Sequence, residues 1–285
     1  MKEKRTCLNC NCDDISVVSR KVRDSKKHII IKCNNCGLVQ LNPIPTNEEI
    51  NEYYNLNKQE ISIFGRDYDE NKMRRNARYD TIRRTNLINS IMSHKGKILD
   101  IGCGYNFLLD NLKNIGYYTY GIEISKERRN SSNHTIYKNL NEVNTTFDCI
   151  TLFFVLEHIP NPVEYLKKLS HLLKPQGKII IEVPNLNDKT LSNKEYNQFF
   201  WQLSHMTYFN EDTLKNITRD AGYLCDIMYQ QRYSIENMFY WKLIGKPQIH
   251  NPIFDIGKDY KWLEKCYKSY LIKNKISDTL IGILQ

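Results

Sequence analysis

A chain of 285 residues with 41 Lys and Arg against 32 Asp and Glu carries a formal charge of +9, and 41% of its residues are hydrophobic. That length holds one α/β domain of ordinary size and a small accessory module, and it excludes a short peptide scaffold. No stretch approaches the roughly 20 continuous apolar residues of a membrane span, and the lysine-rich start has no apolar run of the signal-peptide kind, so a cytoplasmic location is expected.

Cysteines mark the first element. Cys7, Cys10, Cys12, Cys33 and Cys36 crowd the N-terminus, whereas Cys103, Cys149, Cys225 and Cys266 are scattered. An odd total of nine in a cytosolic setting argues against a disulfide framework. The pairs Cys7-x-x-Cys10 and Cys33-x-x-Cys36-Gly37 form two knuckles around a stretch, Ile15 to Ile31, that suits a hairpin, which is the pattern of a zinc ribbon. Four thiolates close a tetrahedral sphere, so the Zn2+ expected there is structural and stabilises a module too small for a full core. The two-residue spacing favours Cys10 over Cys12 as ligand. The scattered cysteines read as small core residues.

The segment Gly37-Leu38-Val39-Gln40-Leu41-Asn42-Pro43-Ile44-Pro45 closes the ribbon as an extended prolyl run. Thr46-Asn47-Glu48-Glu49 then supplies the cap and acids that start a short helix, which Tyr53-Tyr54 end. From Asp69 to Ser93, Tyr79, Ile82, Leu87, Ile88, Ile91 and Met92 recur at near-helical spacing and predict an amphipathic helix covering the main domain. The same stretch carries the densest charge, Lys72 to Arg78 and Arg83-Arg84, which reads as a solvated face or, more sharply, as an attraction for a phosphorylated ligand. Domain boundaries follow at 1–45 for the ribbon, 46–95 for a helical linker and lid, and 96–285 for the main domain, with insertions near 185–209 and 233–262.

From Lys97 short apolar strands alternate with helical segments, the signature of a parallel sheet wound on both faces. Strands are expected near 97–101, 117–122, 134–138, 147–153, 178–183, 223–231 and 278–284, giving a doubly wound α/β sheet of seven strands, mostly parallel and Rossmann-like. The first strand runs into Asp100-Ile101-Gly102-Cys103-Gly104-Tyr105-Asn106, and the second ends at Glu123-Ile124. Gly102 and Gly104 let a strand pass directly into a helix beside a ligand. Glu123 stands where an acid accepts hydrogen bonds from a ribose diol. Phe107 occupies the place where a dinucleotide fingerprint wants a glycine, which argues for an adenosine cofactor with an amino-acid tail and against a pyrophosphate.

Farther on, Leu156-Glu157-His158 follows the fourth strand and Leu173-Lys174-Pro175-Gln176-Gly177 precedes the fifth. In this order the motifs resemble the class I S-adenosylmethionine (SAM) dependent methyltransferases over roughly positions 97 to 223. The third small residue of the turn, often Gly in that family, is Asn106 here, and Asn tolerates positive φ. The resemblance implies SAM as cofactor, with Asp100, Gly102, Gly104, Glu123, Ile124 and Phe153 around it, and it implies that the last strand lies antiparallel beside the sixth; Tyr54 and Tyr68 read as a lid over cofactor or substrate or as surface packing. The ribbon, the exit at Leu41-Asn42-Pro43-Ile44-Pro45 and the tyrosine pair resemble methyltransferases of nucleotide-sugar and surface-polysaccharide pathways, sugar C- and O-methyltransferases alike. A small sugar or nucleotide-sugar acceptor is implied, with O-transfer to a hydroxyl ahead of C-transfer.

Methyl transfer requires in-line attack and usually a base. His205, in Leu203-Ser204-His205-Met206, is the expected base, at the place where the sugar C-methyltransferases carry a Glu-His pair. His158 reads as structural or substrate-orienting, and Glu157 as a partner for backbone or for His158. Ubiquinone-pathway O-methyltransferases place a further acid three residues before their Glu-His pair to bind magnesium; Phe154 stands there, which disfavours metal assistance and leaves Glu157, His158 and His205 as a weaker alternative site. Phe199, Phe200, Trp201 and Tyr208 read as core under an insertion or as a stacking surface for a sugar or base. An RNA methyltransferase also combines cysteine-rich module, SAM domain and positive charge, but Phe154 to His158 replaces the Asn/Asp-Pro-Pro-aromatic motif expected for base methylation. A non-catalytic SAM-fold binding module is disfavoured by the retained Asp100, Gly102, Gly104 and Glu123. Oligomeric state is not encoded in these motifs.

Overall fold

The computed structural model describes residues 6–46, 48–50, 70–187, 191–192, 194–245 and 255–285. Tyr53, Tyr54 and Tyr68 lie outside the described residues. Three strands, β1 (Ile15–Ser19), β2 (Ile29–Cys33) and β3 (Val39–Asn42), form an antiparallel ribbon, and α1 (Glu70–Ile91) follows. Then come β4 (Lys97–Ile101), α2 (Phe107–Asn114), β5 (Tyr118–Ile122), α3 (Lys126–Asn130), β6 (Thr135–Tyr137), β7 (Phe147–Phe153), α4 (Pro162–Ser170) and β8 (Leu173–Pro184). The C-terminal part holds α5 (Lys194–Phe200), β9 (Thr207–Tyr208), α6 (Glu211–Asp220), β10 (Cys225–Gln230), α7 (Ile235–Ile244), α8 (Lys261–Lys273) and β11 (Thr279–Leu284).

The seven-stranded sheet has the order β10-β11-β8-β7-β4-β5-β6. β4, β5, β6, β7 and β8 pair in parallel, and β11 inserts antiparallel between β8 and β10. Strand β7 is buried at all seven positions, which is why Phe-Asp-Cys-Ile-Thr-Leu-Phe reads as a nearly unbroken apolar run: helices cover both faces of a parallel sheet. Helix starts follow their caps. Asn161 accepts from the Glu164 N–H ahead of Pro162, and Asn210 and Thr213 cap each other reciprocally at α6.

Three features depart from the expectations. The fifth strand was expected to begin at 178, after a turn at Leu173 to Gly177; instead β8 starts at Leu173, paired with Phe147, and a register shift beside Cys149 absorbs Gln176 at φ +64. Helix α1 docks through apolar and polar groups together: Leu87, Ile88, Ile91 and Met92 pack on the core as expected, but Tyr79 and Ile82 do not. Tyr79 and Ile82 are exposed at 56% and 44%, whereas Thr81, Thr85 and Ile88 face inward, because the buried Glu182 of β8 draws Arg83 and Arg84 of the same helix toward the sheet (Arg84 Nε to Oε2 2.7 Å). That pair is therefore neither a solvated face nor a free phosphate site. Finally, β9 joins the ribbon's sheet, in the order β1-β2-β3-β9, with Val39 opposite Tyr208 and Gln40 opposite Thr207. The segment near 185–209 thus ties the ribbon to the main domain, and Trp201 and Tyr208 are buried in the core between them.

Candidate active site

The glycine turn lies where β4 and β5 end side by side, with Asp100 opposite Gly121. The N–H groups of Gly102 and Cys103 both donate to the Ile122 carbonyl, at 2.8 and 3.1 Å, which ties the turn to the neighbouring strand. Gly104 adopts φ +54, and a Cβ there would meet nothing within 4 Å, so the space above the turn is open to a ligand. Asn106 takes φ 63 at the N-cap of α2 without a side-chain cap, leaving the first N–H groups of the helix to the same space. Glu123 is buried, and its carboxylate accepts from Gly104 N–H at 3.0 Å and Ser125 N–H at 2.8 Å. Burial raises the Asp100 carboxyl to about 6, against the hydrogen bond from the Thr151 hydroxyl at 2.6 Å. Ile124 is exposed beside Glu123, and Phe153 is buried at the end of β7 under the Arg84 guanidinium, 4.6 Å from its ring centre. An open cradle, a caught carboxylate and a free helix start suit an adenosine-type cofactor such as SAM.

Beside this crevice lies a cavity of about 570 Å³. Tyr105 and Phe107, stacked at 5.7 Å, line it together with Tyr196, Phe199, Phe200 and Tyr233. Three arginines reach it from distant parts of the chain. Arg23 of the ribbon lies 4.4 Å over Phe199, while Arg84 and Arg232 sit 5.4 and 4.2 Å from the Phe154 ring centre. Arg232 is held by Asp80 at 2.8 Å. Phe154 adopts φ 58, a left-handed conformation that a bulky side chain adopts only where its surroundings hold it there.

Glu157, His158 and His205 meet in the wall of the cavity, within 4.8 Å of one another. His158 Nδ1 lies 2.8 Å from the Ser204 carbonyl, so that nitrogen donates and Nε2 points toward Glu157 Oε1 at 3.9 Å. His205 Nε2 is 4.0 Å from the same oxygen, and the Gln202 amide touches both of its ring nitrogens, at 2.8 and 3.2 Å. Burial lowers both imidazoles, His158 to about 4 and His205 well below its ordinary value. Burial raises the Glu157 carboxyl to about 8, with Glu182 adding to it. Glu157 Oε1 faces His158 Nε2 at 3.9 Å, the partner expected for it, while neither carboxylate oxygen makes a hydrogen bond among the described residues.

The four thiols Cys7, Cys10, Cys33 and Cys36 form a second cluster within 4.8 Å, and Cys12 is outside it. Cys7 Sγ and Cys36 Sγ are 3.4 Å apart, Cys10 Sγ and Cys33 Sγ 3.5 Å, a cage that suits tetrahedral zinc. Sequence reasoning missed Arg23, Asp80 and Arg232. None sits in a motif, and Arg232 is identified only by its partly buried pairing with Asp80, 152 positions away in the chain.

Comparison with known proteins places these features in context. A family model described as a methyltransferase domain matches residues 72–226. A ubiquinone biosynthesis O-methyltransferase of Coxiella burnetii is 33% identical over 120 residues, 36% of this chain and 51% of the relative. One of Aeromonas salmonicida is 27% identical over 107 residues, 33% and 45% of the respective lengths. The chain thus spans about half the length of the curated relatives it matches. A SAM-dependent methyltransferase from Archaeoglobus fulgidus superposes with TM-score 0.52 at 18% identity, over 81% of this chain and 99% of that one. The magnesium protoporphyrin IX methyltransferase of Synechocystis PCC 6803, solved with bound SAH, gives 0.52 at 13% identity over 84% and 99%. These superpositions establish the Rossmann-like α/β fold. Among the described residues no helix is long and apolar enough to cross a membrane.

Proposed function

The chain belongs to the methyltransferase-domain family, and on that premise we propose that it transfers the methyl group of SAM to a hydroxyl of a small, nucleotide-linked or phosphorylated sugar used in surface-polysaccharide synthesis. The observation that carries this reading is the cavity beside the cofactor crevice, where aromatic faces, arginines and the Glu157–His158–His205 cluster converge. Tyr196, Phe199, Phe200 and Tyr233 offer flat surfaces for a sugar or base. Arg23 adds a cation for a phosphate. In the transfer the acceptor oxygen attacks the methyl carbon in line, the carbon–sulfur bond breaks, and the hydroxyl proton leaves the acceptor. We assign the handling of that proton to the cluster, with His205 as its principal member, since burial keeps this imidazole neutral. Asp100, Gly102, Gly104, Glu123, Ile124 and Phe153 are assigned to SAM, and Cys7, Cys10, Cys33 and Cys36 to a structural Zn2+.

The test is mass spectrometry of products from a panel of nucleotide sugars, sugar phosphates and RNA incubated with SAM. A gain of one methyl on a nucleotide sugar, placed on oxygen by NMR, supports the reading. Placement on carbon turns it to C-transfer. Methylation of RNA alone, or no SAM binding by calorimetry, overturns it.

A further inference from the structure

A buried carboxylate without a donor is costly. It is normally paired, hydrogen-bonded or bound to a metal. Glu157 is 1% exposed, and among the described residues neither of its oxygens has a hydrogen-bond partner. The nitrogens nearest Oε1 in this cluster are Nε2 of His158 at 3.9 Å and Nε2 of His205 at 4.0 Å. The two imidazoles stand edge to face, with centroids 4.8 Å apart. His158 is oriented as a metal ligand would be, because its Nδ1–H donates to the Ser204 carbonyl and its Nε2 faces the Glu157 carboxylate.

From this geometry we propose that Glu157, His158 and His205 form a second metal site, distinct from the cysteine cage, that binds a first-row transition dication of the zinc class at the wall of the acceptor cavity. Two ligands at about 2.1 Å in tetrahedral array stand about 3.4 Å apart, so each imidazole need close on the carboxylate by only roughly half an ångström to share an ion. Two imidazoles and one carboxylate select Zn2+ and its neighbours over Mg2+, which prefers an all-oxygen octahedron. Phe154, close in the chain and lining the same cavity, brings no oxygen that would shift this preference. Three protein ligands leave at least one position open, and all three residues line the cavity, so an acceptor oxygen completes the sphere.

The inference rests on reading the cavity as the acceptor site, and it refines the role of the cluster. A hydroxyl bound to the cation is more acidic than a free one, and with the ion in place His205 contributes as a ligand.

The experiment loads the full chain with Zn2+ or Co2+, counts ions by elemental analysis after dialysis, and records visible spectra of the Co2+ form. Wild type is expected to hold one more ion than Glu157→Gln and than His205→Ala. The extra Co2+ should give ligand-field bands without thiolate charge transfer, and Mg2+ in tenfold excess should not displace it. Affinity for that ion should fall at least about a hundredfold in each variant. Calorimetric SAM binding confirms that each variant is folded, and two independent variants guard against the failure of one. Equal ion counts in wild type and both variants, or displacement by Mg2+, overturns the proposal. Should His205→Ala lose turnover while wild type holds no extra ion, the acceptor-site reading stands and the metal site falls.

Discussion

Arg23, between the first two strands of the ribbon, donates through its guanidinium to the side-chain oxygen of Gln202, and the Gln202 amide lies 2.8 Å from His205 Nε2. The backbone repeats the link, since Arg23 N–H donates to the Trp201 carbonyl at 2.8 Å. A module held by four cysteines is thereby joined to the residue assigned to the acceptor's proton.

Loss of this link should therefore cost acceptor turnover and spare the cofactor. Arg23→Ala removes a charged hydrogen bond of about 1.5 to 3 kcal/mol, so kcat/KM for the acceptor should fall roughly ten- to hundredfold. Cys33→Ser, which opens the cysteine cage, should act in the same direction. Calorimetry should give an unchanged SAM affinity in both. A wild-type kcat/KM in Arg23→Ala would show that the ribbon does not shape the acceptor site.

His205→Ala should keep SAM affinity and lower kcat by about a hundredfold or more. Single-turnover kinetics with saturating SAM separates this from a binding defect. Unchanged turnover would remove His205 from its assigned role.

Asp100 predicts a trade between stability and binding. Its folded-state pKa, raised by burial to about 6, lies above the value near 4 of an unfolded chain. The folded form thus holds the proton more tightly, and this group's contribution to stability is full below about pH 4 and lost as the pH climbs to about 6. Asp100→Asn, which has no charge to bury, should be more stable than wild type at pH 7 by on the order of 1 to 3 kcal/mol, with the gap closing toward pH 4. The same variant should bind SAM more weakly. Urea unfolding at pH 7 and pH 4.5 checks the sign; a destabilised variant at pH 7 contradicts it.

Gly121 is demanded by Cys103. A Cβ at position 121 would stand 2.5 Å from Cys103 Sγ and 2.8 Å from Ile136 Cδ1. Gly121→Ala should destabilise by about 1 to 3 kcal/mol, and adding Cys103→Ala should restore part of the loss. Chemical unfolding of the double-mutant cycle measures the coupling. Simple additivity would mean that the sulfur is not the obstacle.

Legibility in the sequence varied with the range of the interaction. The strand segments near 97–101, 147–153 and 278–284 were read closely, since burial on both faces writes apolar runs into adjacent residues. In α1 the spacing places Leu87, Ile88, Ile91 and Met92 correctly against the core, whereas it misplaces Tyr79 and Ile82 because Glu182, 98 positions from Arg84, draws polar groups of that part of the helix inward. In the sequence Glu157 reads as a partner for backbone or for His158, and only the fold shows His205 packed beside the same oxygen, with no hydrogen bond to either carboxylate oxygen among the described residues.

The sequence by itself determined the doubly wound sheet, the glycine turn with Glu123 beside it, and the grouping of the four cysteines. These depend on strand period, on glycine and asparagine at positive φ, and on ligands a few residues apart, all short-range properties of the chain. Only the tertiary structure set Arg23 and Arg232 around one cavity with Glu157 and His205, which the sequence already singles out. Arg23, Glu157, His205 and Arg232 come from four separate segments, and buried charged groups find their partners through the packing of the whole fold, which no local spacing records.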